Sequence, residues 1–349
     1  MAIAAIADAC IRVNHGRNIN RGKIMHSSSD GTRQFRLQRS ELAVPATSER
    51  FFEKAARGPA DSIFLDLEDA VAPTRRDEAR SNAVRALNEI DWGAKSVSVR
   101  VNGLSTPWAL ADILAVARCG RLDMILLPKV ETAADVEFLD RLLSCMERER
   151  PRERPLGIEI LIETAKGLAN VEAIAASSGR LEGIIFGVGD YSIELENFDT
   201  VFGASSADYA VLAREPGRPA ERHWNDQWHF ALARIANACR AYGLRPIDGP
   251  FANYADVEGY LASCRRARAL GFEGKWAIHP SQVEPANREF TPSGAQIDWA
   301  REVNAKMTAA ANEGLGAIGM HGVLIDRAHV LLAGKILRRA GLVGIEGKP

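Results

Sequence analysis

Short apolar runs alternate with amphipathic stretches from Arg36 onward, and this alternation is the dominant pattern of the chain. Short runs of apolar and β-branched residues are typical of strands in a buried parallel sheet, whereas apolar positions spaced by three or four are typical of helices. The runs that we predict as strands are Glu41–Pro45, Ser62–Leu67, Ser96–Val101, Met124–Leu127, Gly157–Ile162, Gly183–Gly187, Leu244–Ile247 and Lys275–Ile278. This succession predicts an α/β fold, a (β/α)8 TIM barrel, in preference to a doubly wound sheet.

The same pattern divides the chain into three regions. Residues 1–35 have no sustained period and include the polar run HSSSDGT, so we expect a flexible N-terminal tail. Residues 36–290 form the predicted barrel domain, and residues 291–349 form a C-terminal helical extension with helices expected at 296–312 and 327–340. A glycine-rich segment separates those two helices, and an extension of this kind can serve as a lid or oligomerisation segment at a barrel mouth.

Charge and cysteine content exclude several classes of protein. Lys and Arg number 44 and Asp and Glu number 45, which gives no basic excess for nucleic acid or an anionic membrane surface. No apolar run approaches the roughly 20 residues that span a bilayer. The five cysteines are scattered without CxxC spacing, a pattern typical of reduced thiols in a cytoplasmic protein.

Polar side chains follow seven consecutive predicted strands at the point where each strand ends. In a TIM barrel the carboxyl ends of all strands form one rim, and active sites lie there. A single such residue can equally be a turn, a cap or a core side chain, but seven together indicate an enzyme. The residues at these ends are Asp66, Glu68, Asp69, Arg100, Asn102, Lys129, Glu163, Asp190, Asp248 and His279.

The residues 157–191 predict a strand–helix–strand unit, with the helix over 164–177, and this unit predicts a metal site. Glu163 directly follows one strand, and Asp190 follows the next, so both carboxylates should converge at the rim although they are far apart in the chain. Two carboxylates with room for water and substrate oxygens suit octahedral Mg²⁺. The alternative is that one of the two caps a helix and the other lies in a turn. At the start of the last predicted helix, the spacing alone favours Asp326 as an N-cap.

Several motifs in this chain resemble those of the HpcH/HpaI aldolase and citrate lyase β-subunit superfamily. The resemblance covers roughly residues 36–340, and the later segments are closest to the malyl-CoA lyases within that superfamily. The motifs are RSELAVPA, FLDLEDAVAP, VRVNGL, ILLPKVE, IETAKGLANVEAIA, FGVGDY, HWNDQWHF, RAYGLRPIDGPF, GFEGKWAIHPSQV and LID.

This resemblance implies a Mg²⁺-dependent lyase, with Mn²⁺ as an alternative metal, that cleaves (S)-malyl-CoA reversibly to acetyl-CoA and glyoxylate. It also implies cleavage of β-methylmalyl-CoA. By similarity, Glu163 and Asp190 are the metal ligands, and Glu68 and Asp69 surround its water ligands. Arg100 faces the reacting oxygen, and Asp326 is the catalytic base. The resemblance further implies a homo-oligomer, a trimer or hexamer, in which a neighbouring subunit contributes Asp326.

The resemblance also extends to residues that bind coenzyme A and the rest of the substrate. It implies that Lys54 contacts the CoA moiety with help from Arg39, and that Asp248, Gly249 and Pro250 line the substrate pocket. The chain departs from the family pattern in the acidic segment SIELENFDTVFG after Tyr191, a long loop that we expect to cover the substrate. Citramalyl-CoA lyase and malyl-CoA thioesterase activities remain as alternatives, because those enzymes share the same motifs.

Overall fold

A computed structural model of the chain describes residues 36–206 and 208–345. The predicted N-terminal tail at 1–35 lies outside the described residues. Numbered in chain order, the strands are β1 (Ser40–Pro45), β2 (Ser62–Asp66), β3 (Ser96–Arg100), β4 (Met124–Leu127), β5 (Gly157–Ile162), β6 (Leu181–Phe186), β7 (Ala210–Ala213), β8 (Glu221–Trp224), β9 (Arg245–Asp248), β10 (Gly274–Ala277), β11 (Ile318–Met320) and β12 (Val323–Ile325).

Eight of these strands form a closed parallel barrel in the order β1-β10-β9-β6-β5-β4-β3-β2. The predicted (β/α)8 TIM barrel is therefore confirmed, and β4 and β5 have the predicted bounds. The other barrel strands begin and end within two residues of the prediction. Because all eight strands run in the same direction, their carboxyl ends form one rim.

Helices lie between the barrel strands and continue beyond the last of them. In chain order they are α1 (Phe52–Arg57), α2 (Arg76–Glu89), α3 (Ala109–Val116), α4 (Ala133–Glu149), α5 (Ala165–Ala169), α6 (Val171–Ala175), α7 (Val188–Glu194), α8 (His229–Tyr242), α9 (Val257–Ala269), α10 (Val283–Glu289), α11 (Gly294–Asn312) and α12 (Arg327–Leu342). Within the described ranges, no helix is both long and apolar enough to cross a membrane.

The barrel interior holds a small apolar cluster that supports the rim. Successive side chains of a strand point to opposite faces, so alternate residues face the interior and the surrounding helices. The helix-facing residues belong to the large outer core, and the interior cluster is separate from it. Its buried members, each from a different strand, are Phe64, Leu126, Leu161, Ile185, Ile247 and Trp276.

Three local predictions differ from the structure. The helix predicted over 164–177 is divided at Asn170, whose side-chain amide donates to the carbonyl of Glu131 at 2.9 Å. The long loop after β6 contains α7 and an antiparallel hairpin of β7 and β8. The glycine-rich segment at 314–319 leads into a second hairpin, β11–β12, which places Asp326 directly before α12.

The C-terminal helices α11 and α12 have an apolar cluster of their own. They pack against each other and against the β11–β12 hairpin through Met307, Met320, Ile325 and Ala333. Five apolar side chains on the same C-terminal segment are exposed, with 47% to 68% of their surface accessible: Leu315, Val323, Leu324, Leu331 and Leu332. The C-terminal extension therefore buries part of its apolar surface internally. The rest forms an exposed apolar face that nothing covers in the single chain as described.

Candidate metal centre and active site

Glu163 and Asp190 lie at neighbouring positions on the rim, as the strand–helix–strand pattern predicts. Glu163 immediately follows β5 and is 3% exposed, while Asp190 lies in the first turn of α7, after β6. One residue, Lys129, contacts both of them: its backbone N–H donates to Glu163 Oε1 at 2.8 Å, and its ammonium lies 2.9 Å from Asp190 Oδ2. The alternative of a helix cap and a turn residue does not hold, because Thr164 and not Glu163 caps α5, and Asp190 lies within α7.

Gly187 provides the space that the Glu163 side chain occupies. It lies between β6 and α7, and a Cβ atom on this residue would collide with both the Cβ atom and the carboxylate of Glu163. A glycine is required here because of this close approach. The FGVGDY motif thus has a physical function at the site, since it combines the space for one carboxylate with the position of the other.

Lys129 is the central cation of the rim. Besides its contact with Asp190, its ammonium donates to Glu68 Oε1 at 2.8 Å and lies 3.6 Å from Asp69 Oδ1. Burial of the ammonium favours its neutral form, but the hydrogen bonds to Glu68 and Asp190 outweigh burial and raise the pKa of Lys129. The backbone of Lys129 has a φ of 54°, a left-handed conformation that non-glycine residues rarely adopt and that concentrates at functional sites.

Arg100 is held rigidly at the end of β3. Its guanidinium forms two hydrogen bonds of 2.7 Å with the two carboxylate oxygens of Asp66, and Nη1 donates to Asp69 Oδ2 at 3.0 Å. Its charged carbon lies 5.5 Å from the ring centre of Trp276 in the interior cluster. Burial raises the pKa of the Asp66 carboxyl, but Arg100 more than offsets this, so the net shift is downward. This bidentate pair fixes both the charge and the plane of the guanidinium.

The carboxylates at the rim outnumber the cations. Burial raises the pKa of Glu163 to about 8, with further contributions from the negative charges of Glu68 and Asp190. Burial likewise raises the pKa of Glu68. Two cationic side chains, Arg100 and Lys129, therefore face five carboxyl groups: Asp66, Glu68, Asp69, Glu163 and Asp190.

This arrangement fits a divalent cation. Glu68 Oε2 is buried without a hydrogen-bond partner, although Arg100 Nη1 lies 3.4 Å away, and such an orphaned acceptor can accept a hydrogen bond from a metal-bound water. In the part of the chain that the structure describes, no three Asp, Glu, His or Cys side chains converge into a metal-binding cluster. Mg²⁺ does not require such a cluster, because it is commonly bound by one or two carboxylates together with water and substrate oxygens.

Asp248, Gly249 and Pro250 lie at the end of β9. Asp248 is 2% exposed and accepts a hydrogen bond from the ammonium of Lys275 at 2.5 Å. Gly249 packs so closely against the carbonyl of Phe186 that no Cβ atom fits there. These contacts show that the Asp248 side chain is buried and paired with Lys275, and the role of residues 248–250 in lining the substrate pocket stays a prediction.

The remaining predicted residues lie away from this cluster in the single chain. Asp326 is the N-cap of α12, where its carboxylate accepts from the Ala328 N–H at 3.0 Å and contacts His329 Nδ1 at 2.8 Å. The capping position inferred from spacing is therefore confirmed, and its catalytic role stays a prediction. Lys54 is exposed on α1 and lines a cavity of about 470 Å³ together with Arg50.

The prediction that Arg39 assists in CoA binding does not fit its position. Arg39 directly precedes β1 and therefore lies at the amino-terminal end of the barrel, opposite the rim. Its guanidinium forms two hydrogen bonds of 2.8 Å with Asp61 and one of 2.9 Å with Thr291. These contacts join β1 to the segments before β2 and α11, so we remove Arg39 from the candidate site and regard it as structural.

Sequence reasoning placed Lys129 and Asp66 at strand ends but did not single them out as site residues. Lys129 lies two residues after β4, and Asp66 is the last residue of β2, so their sequence positions provided a signal that both lie on the same rim as the chosen residues. His279 also lies at the rim, where it is exposed and stacks on Tyr254 with ring centres 4.6 Å apart. It is therefore not a core histidine.

Comparison with known proteins agrees with this geometry. The family described as HpcH/HpaI aldolase/citrate lyase matches residues 39–280, which include β1 to β10 and all the rim residues. That match covers most of the chain, so the chain belongs to this family, and the resemblance drawn from the motifs is confirmed.

Individual relatives cover nearly the whole described chain. An L-malyl-CoA/beta-methylmalyl-CoA lyase from Cereibacter sphaeroides is 44% identical over 310 residues, covering 88% of this chain and 96% of that protein. A (3S)-malyl-CoA thioesterase from the same species is 35% identical over 302 residues, covering 86% and 94%. The crystal structure of the protein CitE from Mycobacterium tuberculosis, in complex with magnesium, acetoacetate and coenzyme A, has a TM-score of 0.67 and 28% identity, covering 87% of this chain and 98% of that one.

Proposed function

We propose that this chain is a CoA-thioester lyase that cleaves (S)-malyl-CoA reversibly to acetyl-CoA and glyoxylate, and β-methylmalyl-CoA to propionyl-CoA and glyoxylate. The observation that carries the proposal is the pairing of Glu163 and Asp190 around a cation-deficient rim. Its substrate class follows from the 44% identity with a lyase named for these two thioesters. Identity with the thioesterase is lower, at 35%, and favours cleavage of the carbon–carbon bond over hydrolysis.

In this proposal Glu163 and Asp190 hold the divalent cation, and Glu68 and Asp69 accept hydrogen bonds from its water ligands. All of these donors are carboxylate oxygens, which suit Mg²⁺ or Mn²⁺. When bound, the cation supplies Lewis-acid polarisation of the oxo-acid carbonyl. The M. tuberculosis relative, whose crystal contained magnesium, supports Mg²⁺ as the first choice.

Arg100 stabilises the oxygen on which negative charge develops. Asp66 holds its guanidinium through two hydrogen bonds, so little reorganisation is needed when charge appears. In the condensation direction the new bond joins the methyl carbon of acetyl-CoA to the aldehyde carbon of glyoxylate. Asp326 removes the methyl proton as general base, and the aldehyde oxygen, which gains the negative charge that Arg100 faces, takes a proton from water to become the hydroxyl of malyl-CoA. In cleavage the hydroxyl gives up its proton to water, and Asp326 returns a proton to the departing methyl carbon of acetyl-CoA.

We infer that Asp326 acts at the rim of a neighbouring copy. The Asp326 carboxylate is half-exposed. Its hydrogen bonds are with Ala328 and His329, which belong to the first turn of its own helix. Exposed apolar residues flank it on both sides, including Leu324 and Leu331, and a second copy would cover them. This arrangement requires a homo-oligomer, and the family resemblance favours a trimer or hexamer.

Lys54 contacts the CoA moiety in this proposal, and the backbone at 249–250 lines the substrate pocket. Within residues 36–206 and 208–345 Lys54 forms no ion pair, and three arginines line the same cavity: Arg50, and Arg57 and Arg85, which pair with Glu53 and Glu49. Exposed cations of this kind suit the phosphate groups of CoA. The relative crystallised with coenzyme A supports this class of ligand.

A cleavage assay on purified protein with Mg²⁺ tests the reaction. (S)-Malyl-CoA, β-methylmalyl-CoA and citramalyl-CoA are supplied separately, and glyoxylate, pyruvate and free thiol are measured. Glyoxylate without free thiol supports the proposal. Pyruvate alone would reassign the enzyme as a citramalyl-CoA lyase, and free CoA without cleavage would reassign it as a thioesterase.

Subunit mixing tests the origin of Asp326. Asp326→Ala and Glu163→Gln variants are each expected to be inactive, but oligomers reassembled from an equal mixture should regain about a quarter of the wild-type activity. This recovery occurs only when one site combines residues from two copies. If the mixture stays as inactive as its components although the subunits exchange, Asp326 does not act across an interface.

A further inference from the structure

The ammonium of Lys129 lies where three rim carboxylates meet. It is 2.8 Å from Glu68, 2.9 Å from Asp190 and 3.6 Å from Asp69, and the side chain is 38% exposed. It thus contacts directly one of the two carboxylates that would hold the metal. A monovalent cation in this position neutralises part of the negative charge that the rim carries without metal.

The backbone of Lys129 contributes independently to the same site. Its left-handed conformation, with a φ of 54°, directs the backbone N–H to Glu163 Oε1 and the side chain to the other carboxylates. Left-handed backbone is unfavourable for a residue with a β-carbon and persists where the surroundings impose it. The backbone N–H fixes Glu163 whatever the side chain is, so the two functions of Lys129 can be separated by substitution.

We propose that the Lys129 ammonium is the internal counterion of the metal-free site and must release Asp190 before a divalent cation binds. This inference rests on the proposed metal site of Glu163 and Asp190 and deepens it. Once Asp190 is released, the ammonium retains Glu68 and Asp69 as partners, so it stays at the rim and does not move into solvent. Lys129 is therefore a positioning residue that sets the metal affinity of the empty site.

The charges explain why the two cations compete. An ammonium within hydrogen-bond distance of Asp190 repels a divalent cation that approaches the same carboxylate, and the ion pair must be broken when the metal binds. Removing the ammonium leaves Glu163 and Asp190 unchanged. It eliminates both the repulsion between the two cations and the need to break the Lys129–Asp190 ion pair. We expect the affinity for free Mg²⁺ to rise about tenfold in Lys129→Met, the scale set by a partly exposed ion pair.

The test is a calorimetric titration of the intact protein with Mg²⁺ alone, without substrate. Lys129→Met removes the ammonium and keeps the backbone N–H, and methionine has the same backbone strain as lysine at a positive φ. Lys129→Arg retains the charge and should bind Mg²⁺ like the wild type. Lys166→Met is the matched control, because Lys166 is near the site in sequence but pairs with the exposed Glu131.

Thermal unfolding supplies a second readout. Without metal, Lys129→Met should melt below the wild type because its carboxylates repel one another, and saturating Mg²⁺ should remove most of that difference. Unchanged or weaker Mg²⁺ binding by Lys129→Met overturns the inference, as does a melting difference that persists at saturating Mg²⁺. If the wild type binds no Mg²⁺, the proposed metal centre fails as well, so the two failures are distinguishable.

Discussion

The pKa of Glu163 leads to a quantitative prediction for metal binding. Burial and the neighbouring Glu68 and Asp190 raise this pKa to about 8 in the metal-free protein. A metal binds the ionised carboxylate, so its apparent affinity follows the ionised fraction. That fraction is about one half at pH 8 and about one hundredth at pH 6. We therefore expect the apparent Mg²⁺ affinity to fall about fiftyfold from pH 8 to pH 6.

Calorimetric titration at pH 6, 7 and 8 measures this dependence directly. Repeating each titration in buffers of different ionisation enthalpy counts the protons released, which should approach one per metal ion at pH 6. Glu163→Gln is the control: it should bind Mg²⁺ weakly, with little of this pH dependence and without the proton release. If the wild-type affinity is flat between pH 6 and 8, or if the variant has the same slope, the carboxyl that controls binding is not Glu163.

The same shift changes the stability of the metal-free protein with a definite sign. Because the folded-state pKa of Glu163 is raised from 4.5 to about 8, its contribution to stability is fully present below about pH 4.5 and is lost as the pH rises through 8. The metal-free wild type should therefore lose stability relative to Glu163→Gln between pH 5 and 8. At pH 8, saturating Mg²⁺ should stabilise the wild type more than Glu163→Gln. Thermal unfolding with and without Mg²⁺ measures both effects.

Three further substitutions test the geometry. Gly187→Ala places a Cβ against the Glu163 carboxylate and should weaken Mg²⁺ binding at least about tenfold by calorimetry; unchanged binding would contradict the collision. Asp66→Asn leaves Arg100 buried without its main partner and should lower the free energy of unfolding in urea by about 3 kcal/mol; a loss below about 1 kcal/mol would contradict this. Arg39→Ala should lower the melting temperature but leave the KM for acyl-CoA unchanged, whereas a large rise in KM would restore Arg39 to the site.

The barrel could be predicted from sequence because parallel strands are covered on both faces. Such strands are continuous apolar runs, and the residues of β5 are buried along their whole length.

The single helix predicted over 164–177 was wrong, because the spacing of apolar residues does not show where a helix is interrupted. Its apolar residues do face the core, but the backbone of Asn170 leaves the helical conformation where its side-chain amide donates to the carbonyl of Glu131.

The direction of the strands predicts which end of the barrel each candidate side chain lies at, and this much of the site could be predicted from the sequence. Direction alone places Glu163 and Asp190 on one rim, and the same argument would have excluded Arg39, which precedes its strand. The central position of Lys129 could not be derived in this way, because it depends on a left-handed backbone and on the reach of a flexible side chain. Similarity of motifs identifies residues that share a role across a family, but it does not show how cations and carboxylates pair within one chain.

The pairing of charges at the rim supports the proposal that the catalytic base comes from another copy. Asp66 and Asp69 contact Arg100, Glu68 contacts Lys129, and Asp248 contacts Lys275, while Glu163 and Asp190 are the proposed metal ligands. Each of these carboxylates therefore contacts a cationic side chain or is a proposed ligand of the metal. A hydrogen bond with His329 lowers the pKa of the Asp326 carboxyl, which favours its ionised form, and this carboxylate is half-exposed. Both of its contacts, with the Ala328 N–H and with His329, involve Oδ1, so an ionised Asp326 can accept a proton if a second copy presents it to the rim.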